Sequence, residues 1–442
     1  MTHSMRWPGR RSPDMRYGVI GGGVLGLTAA KLLLEHGHDV VVVERAAVPG
    51  GLAASFEIEP GMWLEKFYHH LFRSDRRATA LIDELGLSHR LAWSRPATTA
   101  LVNDRIYQLD SALSVLRFDA LPLADRLRLG AAVAWLRLKP APGSLERTTA
   151  SEWMPRAMGR RVYEVVWRPL LQGKFGAAAD DVSMAWLWAR IHSRTAQLGY
   201  LRGGFHLMYA ALAERVTQLG GEVRYNQEVR TIRRRGDCID VEVVSDGRAA
   251  MDSFDRVVST LPTHLTVRVS PDIPASFAER YPAPKALGAH CLVLSLDRPL
   301  SDVYWIGVND PRYPFLAVVE HTNMLPSADY GGRHLVYLGN YRSHEDPIFR
   351  SSSDEIVATF APFIRRINPA FDEGWIRQAW SFGAPFAQPI VTPAFPGTIP
   401  PFDSPVPGLS IANMFQVYPH DRGQNYSIQL AERLVAHLEG EG

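Results

Sequence analysis

The run "MRYGVIGGGVLGLTAAKLLLEHGHDVVVVER", residues 15–45, limits what this chain can fold into more than any other stretch. Tyr17 to Ile20 form a short apolar run suited to a buried parallel strand. Gly21, Gly23 and Gly26 then spell G-x-G-x-x-G, and helix-forming Leu and Ala continue to Gly37. A second strand, Asp39 to Val43, ends in Glu44, 21 residues after Gly23. Each position has a physical reason. Gly21 permits the tight turn, Gly23 lets backbone approach a pyrophosphate, and Gly26 lets helix and strand pack closely. The helix N-terminus offers unpaired N–H groups to the phosphates. Glu44 stands where an acidic residue binds a ribose hydroxyl. The pattern predicts the opening strand–helix–strand unit of a dinucleotide-binding fold. Shortly after, in "AAVPGGLAAS", the Gly50-Gly51 doublet allows a second close approach of backbone to ligand.

A chain of 442 residues exceeds one ordinary core, so two domains are expected. Hydrophobic residues make up 46% and charged residues 21%, as in soluble globular proteins. A net charge of +2, with no basic stripe, gives nucleic acid no electrostatic foothold. Cys238 and Cys291, the only cysteines, cannot build a disulfide framework or a four-thiolate metal site, so a cytoplasmic setting is expected. Residues 1–14 are Arg- and Pro-rich and read as a disordered tail. No run of about 18 apolar residues suggests a spanning helix.

Glu44-Arg45 followed by a short segment and Gly50-Gly51 resembles the FAD-binding pattern of the flavin amine oxidase, protoporphyrinogen oxidase and phytoene desaturase superfamily. Later stretches are similar in order along the chain. "GGFHLMYAALAERVTQLGGEVRYNQEVRTIRRR" (203–235) reads as turn, helix and strands, and the resemblance implies that the backbone of Val229 meets the adenine. "FDRVVSTLP" (254–262) is similar to the following strand, and 408–438 to the closing strand, loop and helix. By position, Arg422, Gly423, Gln424 and Asn425 would close over the pyrophosphate and flavin ring. No cysteine follows Cys291, so the FAD implied is non-covalent. The fold expected is α/β: a discontinuous Rossmann-like FAD-binding domain (15–75, 195–285 and 385–442) with an inserted α+β substrate domain. The inserts, 76–194 and 286–384, would supply helices and a mixed sheet respectively.

The stretch "EKFYHHLF" (65–72) follows the Gly50-Gly51 segment, where the superfamily chain runs past the flavin ring. Lys66, His69, His70 and, from the last loop, Tyr418 are the catalytic candidates. Neighbours on a strand point to opposite faces, so at most one histidine is expected to face the flavin. No H-x₃-H or H-E-x-x-H accompanies the pair, so no metal is expected. Arg168, Lys174 and Arg190 are candidates for an anionic substrate headgroup, with Arg194 beside them. Leucines interleaved with arginines across 112–139 suggest a basic amphipathic helix able to touch an anionic membrane.

The resemblance implies an FAD-dependent oxidoreductase moving hydride from a substrate C–H to flavin N5, on a lipid-like or glycosylated small molecule. A second reading is a flavin-dependent nucleotide-sugar mutase, because "GMWLEKFYHHLF" is similar to the "G-x-H-x-F-H" passage of UDP-galactopyranose mutases. A third is a non-enzymatic binding protein like the Rab GDP-dissociation inhibitors, which share the architecture. Glu44 and Gly50-Gly51 argue against it, since a protein without FAD need not keep them.

Overall fold

The computed structural model describes residues 14–109 and 111–441. The disordered tail expected for 1–14 therefore lies outside the described residues, apart from Asp14.

Four valines, Val40 to Val43, form a strand buried on both faces, as β-branched residues do in the middle of a parallel sheet. The strand is second in a five-stranded parallel sheet ordered Glu222–Arg224, Asp39–Val43, Arg16–Ile20, Arg256–Ser259, Leu409–Ile411. Residues far apart in sequence thus share one sheet. The first helix, Val24–Glu35, is apolar nearly all round, because it packs against both the helix His206–Gln218 and the final helix, Gln424–Leu438.

A second, seven-stranded sheet is mixed. Its order is Ile376–Pro389, Ala286–Leu296, His334–Arg342, Ala317–Glu320, Trp305–Val308, Thr98–Val102, Arg105–Gln108. All neighbours are antiparallel except Trp305–Val308 with Thr98–Val102. The insert 286–384, expected to supply a mixed sheet, carries Ala286–Leu296, Trp305–Val308, Ala317–Glu320 and His334–Arg342. A three-stranded antiparallel meander, Glu228–Arg235, Cys238–Ser245 and Arg248–Phe254, hangs from the parallel sheet.

The helical layer spans 112–193 and has its own core, including Phe118, Leu129, Leu136, Met154, Phe175 and Trp186. The single basic helix expected over 112–139 is in fact two helices, Ala112–Leu116 and Leu123–Leu138. Pro122 starts the second, and Arg126 spends its guanidinium on the carbonyls of Leu116 and Leu121 in the break. No helix among the described residues is long and apolar enough to cross a membrane.

Candidate functional site

The glycine loop takes the form its spacing requires. Gly21 has φ +109°, a region that L side chains rarely adopt. A Cβ on Gly26 would stand 2.0 Å from the Gly21 carbonyl oxygen, so helix and strand approach as closely as backbone allows. A Cβ on Gly23 would meet only the Gly51 Cα, at 3.9 Å. Gly50 N–H donates to the Gly22 carbonyl (3.0 Å), pinning the second glycine doublet against the first loop. The first helix begins at Gly23 without a side-chain cap, leaving its leading N–H groups for a ligand.

Glu44 forms the rim. Its carboxylate accepts from Gly22 N–H (2.6 Å) and Ala46 N–H (2.7 Å), which fixes it beside the loop with lone pairs to spare. Arg45 is exposed. The Glu44 carbonyl accepts from Gln227 N–H at 3.0 Å, and so holds the start of the Val229 strand against the loop. Val229 sits at an irregularity in that strand, where the register slips between Val229 and Thr231.

The final helix likewise starts at Gly423 with no side-chain cap. Gln424 is buried and its Oε1 has no partner, an acceptor in want of a donor. Asn425 Oδ1 accepts from Arg77 and Ala78 N–H (2.9 and 3.3 Å), tying this helix to the start of the helix Arg76–Glu84. A dinucleotide with a pyrophosphate and a hydroxyl-rich linker fits these groups: two uncapped helix starts, a glycine cradle, a ribose acceptor and an orphaned acceptor.

The stretch 66–70 is not a strand; it is an irregular connector between Met62–Glu65 and Leu71–Phe72. The alternation that put the two histidines on opposite faces therefore does not apply. Tyr68, His69 and His70 are half-buried, and the His70 ring meets Phe72 and Trp305 edge-on. His69 Nδ1 donates to the Phe67 carbonyl (2.6 Å), leaving Nε2 as an acceptor. Burial lowers His69 to about 4. Burial, with Arg194 next, lowers His70 to about 3. Both rings are neutral at pH 7. Lys66 holds Nζ 5.8 Å from the Phe382 ring, on the seven-stranded sheet. Behind the connector, Glu65 is fully buried and accepts from Tyr200 OH and from Phe205 N–H (2.6 Å). Burial raises its carboxyl.

Beside the histidines lies a cluster of cations. Asp421 accepts from Arg190 and lies 3.5 Å from Lys174 Nζ. Burial pushes the Asp421 carboxyl up, but Lys174, Arg190 and Arg422 outweigh it and hold it well below the usual range. Arg422 donates to Gln388 and to Tyr341 OH (3.0 Å). Burial and Arg190 lower Lys174 to about 8. Of the headgroup candidates, Lys174 and Arg190 meet here; Arg168 does not, being paired with Glu164 on an exposed helix face (2.7 Å). Tyr418 is also elsewhere than expected: its OH donates to Glu146 of the helical layer (3.4 Å). Asp421 and Tyr341 were missed in the sequence, although Asp421 is visible as the one acid in the closing loop "PHDRGQN".

Residues 26–416 match the family model described as flavin containing amine oxidoreductase. The 15-cis-phytoene desaturase of Glycine max is 21% identical over 366 residues, covering 77% of this chain and 64% of that protein. The chain thus spans less than two thirds of that relative's length. A protein from Exiguobacterium sp. 255-15, provisionally called a protoporphyrinogen oxidase, superposes with a TM-score of 0.74 at 18% identity, covering 98% of this chain and 100% of that one. A reduced UDP-galactopyranose mutase does so with 0.74 at 16% identity, covering 97% and 96%. These structural likenesses are likenesses of fold.

Proposed function

This chain belongs to the flavin containing amine oxidoreductase family, and on that premise we propose that it is an FAD-dependent oxidoreductase of the protoporphyrinogen oxidase or desaturase type. The observation that carries the reading is the double glycine cradle, Gly50 bonded to Gly22 with Glu44 at its rim. Gly21, Gly23, Gly26, Gly50 and Gly51 would take the pyrophosphate, Glu44 the ribose and the Val229 backbone the adenine. The helix start at Arg422 to Asn425 would take the flavin end, held non-covalently. Bound there, FAD supplies the redox step by accepting hydride from a substrate C–H. The connector 66–70 walls the reaction space with aromatic rings. His69 and His70, neutral at pH 7, offer hydrogen-bond acceptors rather than a charge, and their low pKa values make them weak bases.

The test is the visible spectrum of the purified protein after reconstitution with FAD. A protein that retains no flavin refutes the reading. With flavin bound, anaerobic titration with candidate lipid-like or glycosylated substrates should bleach it. A nucleotide-sugar mutase is the second reading, favoured by the positive charge beside the histidines, which suits a diphosphate. Turnover only after pre-reduction, with the flavin ending reduced, would replace the first reading by the second.

An apolar substrate needs a route in, and the helix Leu123–Leu138 supplies a surface for one. Leu123, Leu127, Ala131, Ala134 and Leu138, three or four residues apart, share an exposed face; Leu123, Leu127 and Leu138 are 59%, 56% and 84% exposed. Arg137, exposed in the last turn of the same helix, has no carboxylate partner among the described residues. We infer that this face rests on an anionic membrane from the cytoplasmic side. Co-sedimentation with phosphatidylglycerol vesicles but not with phosphatidylcholine supports this. Equal sedimentation of the Leu127→Glu/Leu138→Glu variant refutes it.

A further inference from the structure

The cluster beside His69 and His70 is out of electrostatic balance. Lys174, Arg190, Arg194 and Arg422 bring four cations together, and among the described residues Asp421 is the one carboxylate between them. Arg194 has no carboxylate of its own among the described residues; its contact is the Phe72 ring, 6.0 Å away. Its guanidinium is exposed at the edge of the cluster, on the ring that His70 also meets edge-on, 5.1 Å between centroids. Burial alone would raise the Tyr341 phenol, but Lys174 and Arg422 pull it down to about 8. The histidines, neutral at pH 7, neither relieve nor add to the excess. Enclosed charge of one sign is costly unless something of the other sign comes to it.

Only Arg422, at the start of the final helix, comes from the cofactor side. Lys174, Arg190 and Arg194 come from the helical layer, whereas the cradle is built from the parallel sheet and its first helix. The two groups of residues therefore reach the site from different sides. Guanidinium forks suit the paired oxygens of phosphate and carboxylate. A protonated amine, the substrate that the family's name suggests, would be repelled.

We propose that Lys174, Arg190, Arg194 and Arg422 form an anion subsite for the substrate, so that this enzyme acts on a molecule bearing a phosphate, diphosphate or carboxylate group and not on a free amine. The inference rests on the flavoenzyme reading of the same site and names the substrate class that reading leaves open. Lys174 and Arg190 hold Asp421 as the counter-charge that sets their spacing. Arg194 and the outer face of Arg422 carry the binding charge.

The experiment uses the FAD-loaded protein, with pyrophosphate, inorganic phosphate, acetate and a primary alkylamine as probes. Binding is read by calorimetry and by the shift of the flavin spectrum. The expected result is saturable binding of at least one anion, no binding of the amine, and a loss of affinity of tenfold or more in Arg194→Gln. Arg194 makes no ion pair among the described residues, so this variant should fold normally; Arg190→Gln, which strips a partner from Asp421, is the second variant. The probe bound most tightly identifies the group, separating phosphate, diphosphate and carboxylate. Equal anion affinity in Arg194→Gln and parent overturns the proposal, as does preferential amine binding. Loss of FAD from Arg194→Gln with unchanged anion binding also overturns it, because the cluster would then serve the cofactor. Should the protein hold no FAD yet bind the anions through Arg194, measured by tryptophan fluorescence, the flavoenzyme reading falls and the subsite stands.

Discussion

Gly23 caps the first helix and Gly26 lies in its first turn, three residues on, yet replacing each by alanine should do opposite things. At Gly26 the added Cβ lies 2.0 Å from the Gly21 carbonyl oxygen. Reaching ordinary contact near 3.4 Å needs roughly 1.4 Å of movement between first helix and first strand, with no flexible side chain to yield. Overpacking of this kind costs about 1–3 kcal/mol. Gly26→Ala should therefore lower the urea midpoint of the cofactor-free protein. At Gly23, φ is −76°, which alanine adopts freely, and the nearest atom to the new Cβ is 3.9 Å away. Gly23→Ala should leave the cofactor-free protein as stable as its parent. The same methyl would stand where backbone must approach the pyrophosphate, so FAD affinity should fall by tenfold or more, about 1.4 kcal/mol. Urea unfolding without cofactor and fluorescence titration with FAD measure the two effects separately. Parental stability in Gly26→Ala would refute the packing argument. Parental FAD affinity in Gly23→Ala would remove the cradle from the cofactor assignment.

Glu320 is fully buried, and burial raises its carboxyl from the ordinary glutamate range to about 7. The native state thus holds this proton to higher pH than the unfolded state, so the contribution present at low pH is lost as pH rises through 7. Glu320→Gln should remove a penalty on the order of 3 kcal/mol above pH 7 and little near pH 4; parallel melting profiles for the two proteins would contradict it. Because burial puts His69 and His70 at about 4 and 3, the pH profile of kcat/KM should show no histidine limb between pH 5 and 7. A limb near 6.5 that disappears in His69→Gln or His70→Gln would refute those environments. Binding of an anion should weaken above pH 8, where Lys174 loses its proton and Tyr341 gains negative charge; affinity unchanged to pH 9.5 would argue against their part in it. Asn425→Ala removes the acceptor for Arg77 and Ala78 N–H, and should cost about 1–2 kcal/mol. Hydrogen exchange over 76–84 should rise, and unchanged protection would show that the cap contributes nothing.

The cradle was legible because its signal is local: Gly21, Gly23, Gly26 and Glu44 are fixed by one strand–helix–strand unit whose spacing leaves no freedom. The cation cluster was only half legible. Lys174 and Arg190 were visible as charges, but the acid they share, Asp421, lies 231 residues beyond Arg190. No periodicity spans such a gap. The histidine pair misled for another reason. Tyr, Phe and His have the composition of a strand, but Tyr337 OH ties the Glu65 carbonyl to the seven-stranded sheet (2.9 Å) and Lys66 N–H bonds to Ala54 (3.1 Å). Tertiary contacts overrode local preference there. The basic segment 112–139 failed at Pro122, a readable break, and its exposed leucines could not be told from core ones without knowing what packs against them.

The parallel sheet also has a consequence in time. Its first strand is complete by Ile20, but that strand's neighbour on one side begins at Arg256, and the outermost strand on that side ends at Ile411. The first helix then waits for the final one, Gln424–Leu438, to cover it. A chain emerging from the ribosome therefore makes the cofactor's glycine loop long before the strand and helix that complete its support. Through that interval the apolar first helix and the valine strand lack their final partners. Such long-range closure makes for slow folding and prolonged exposure of apolar surface, and it places cofactor capture after the emergence of the final helix.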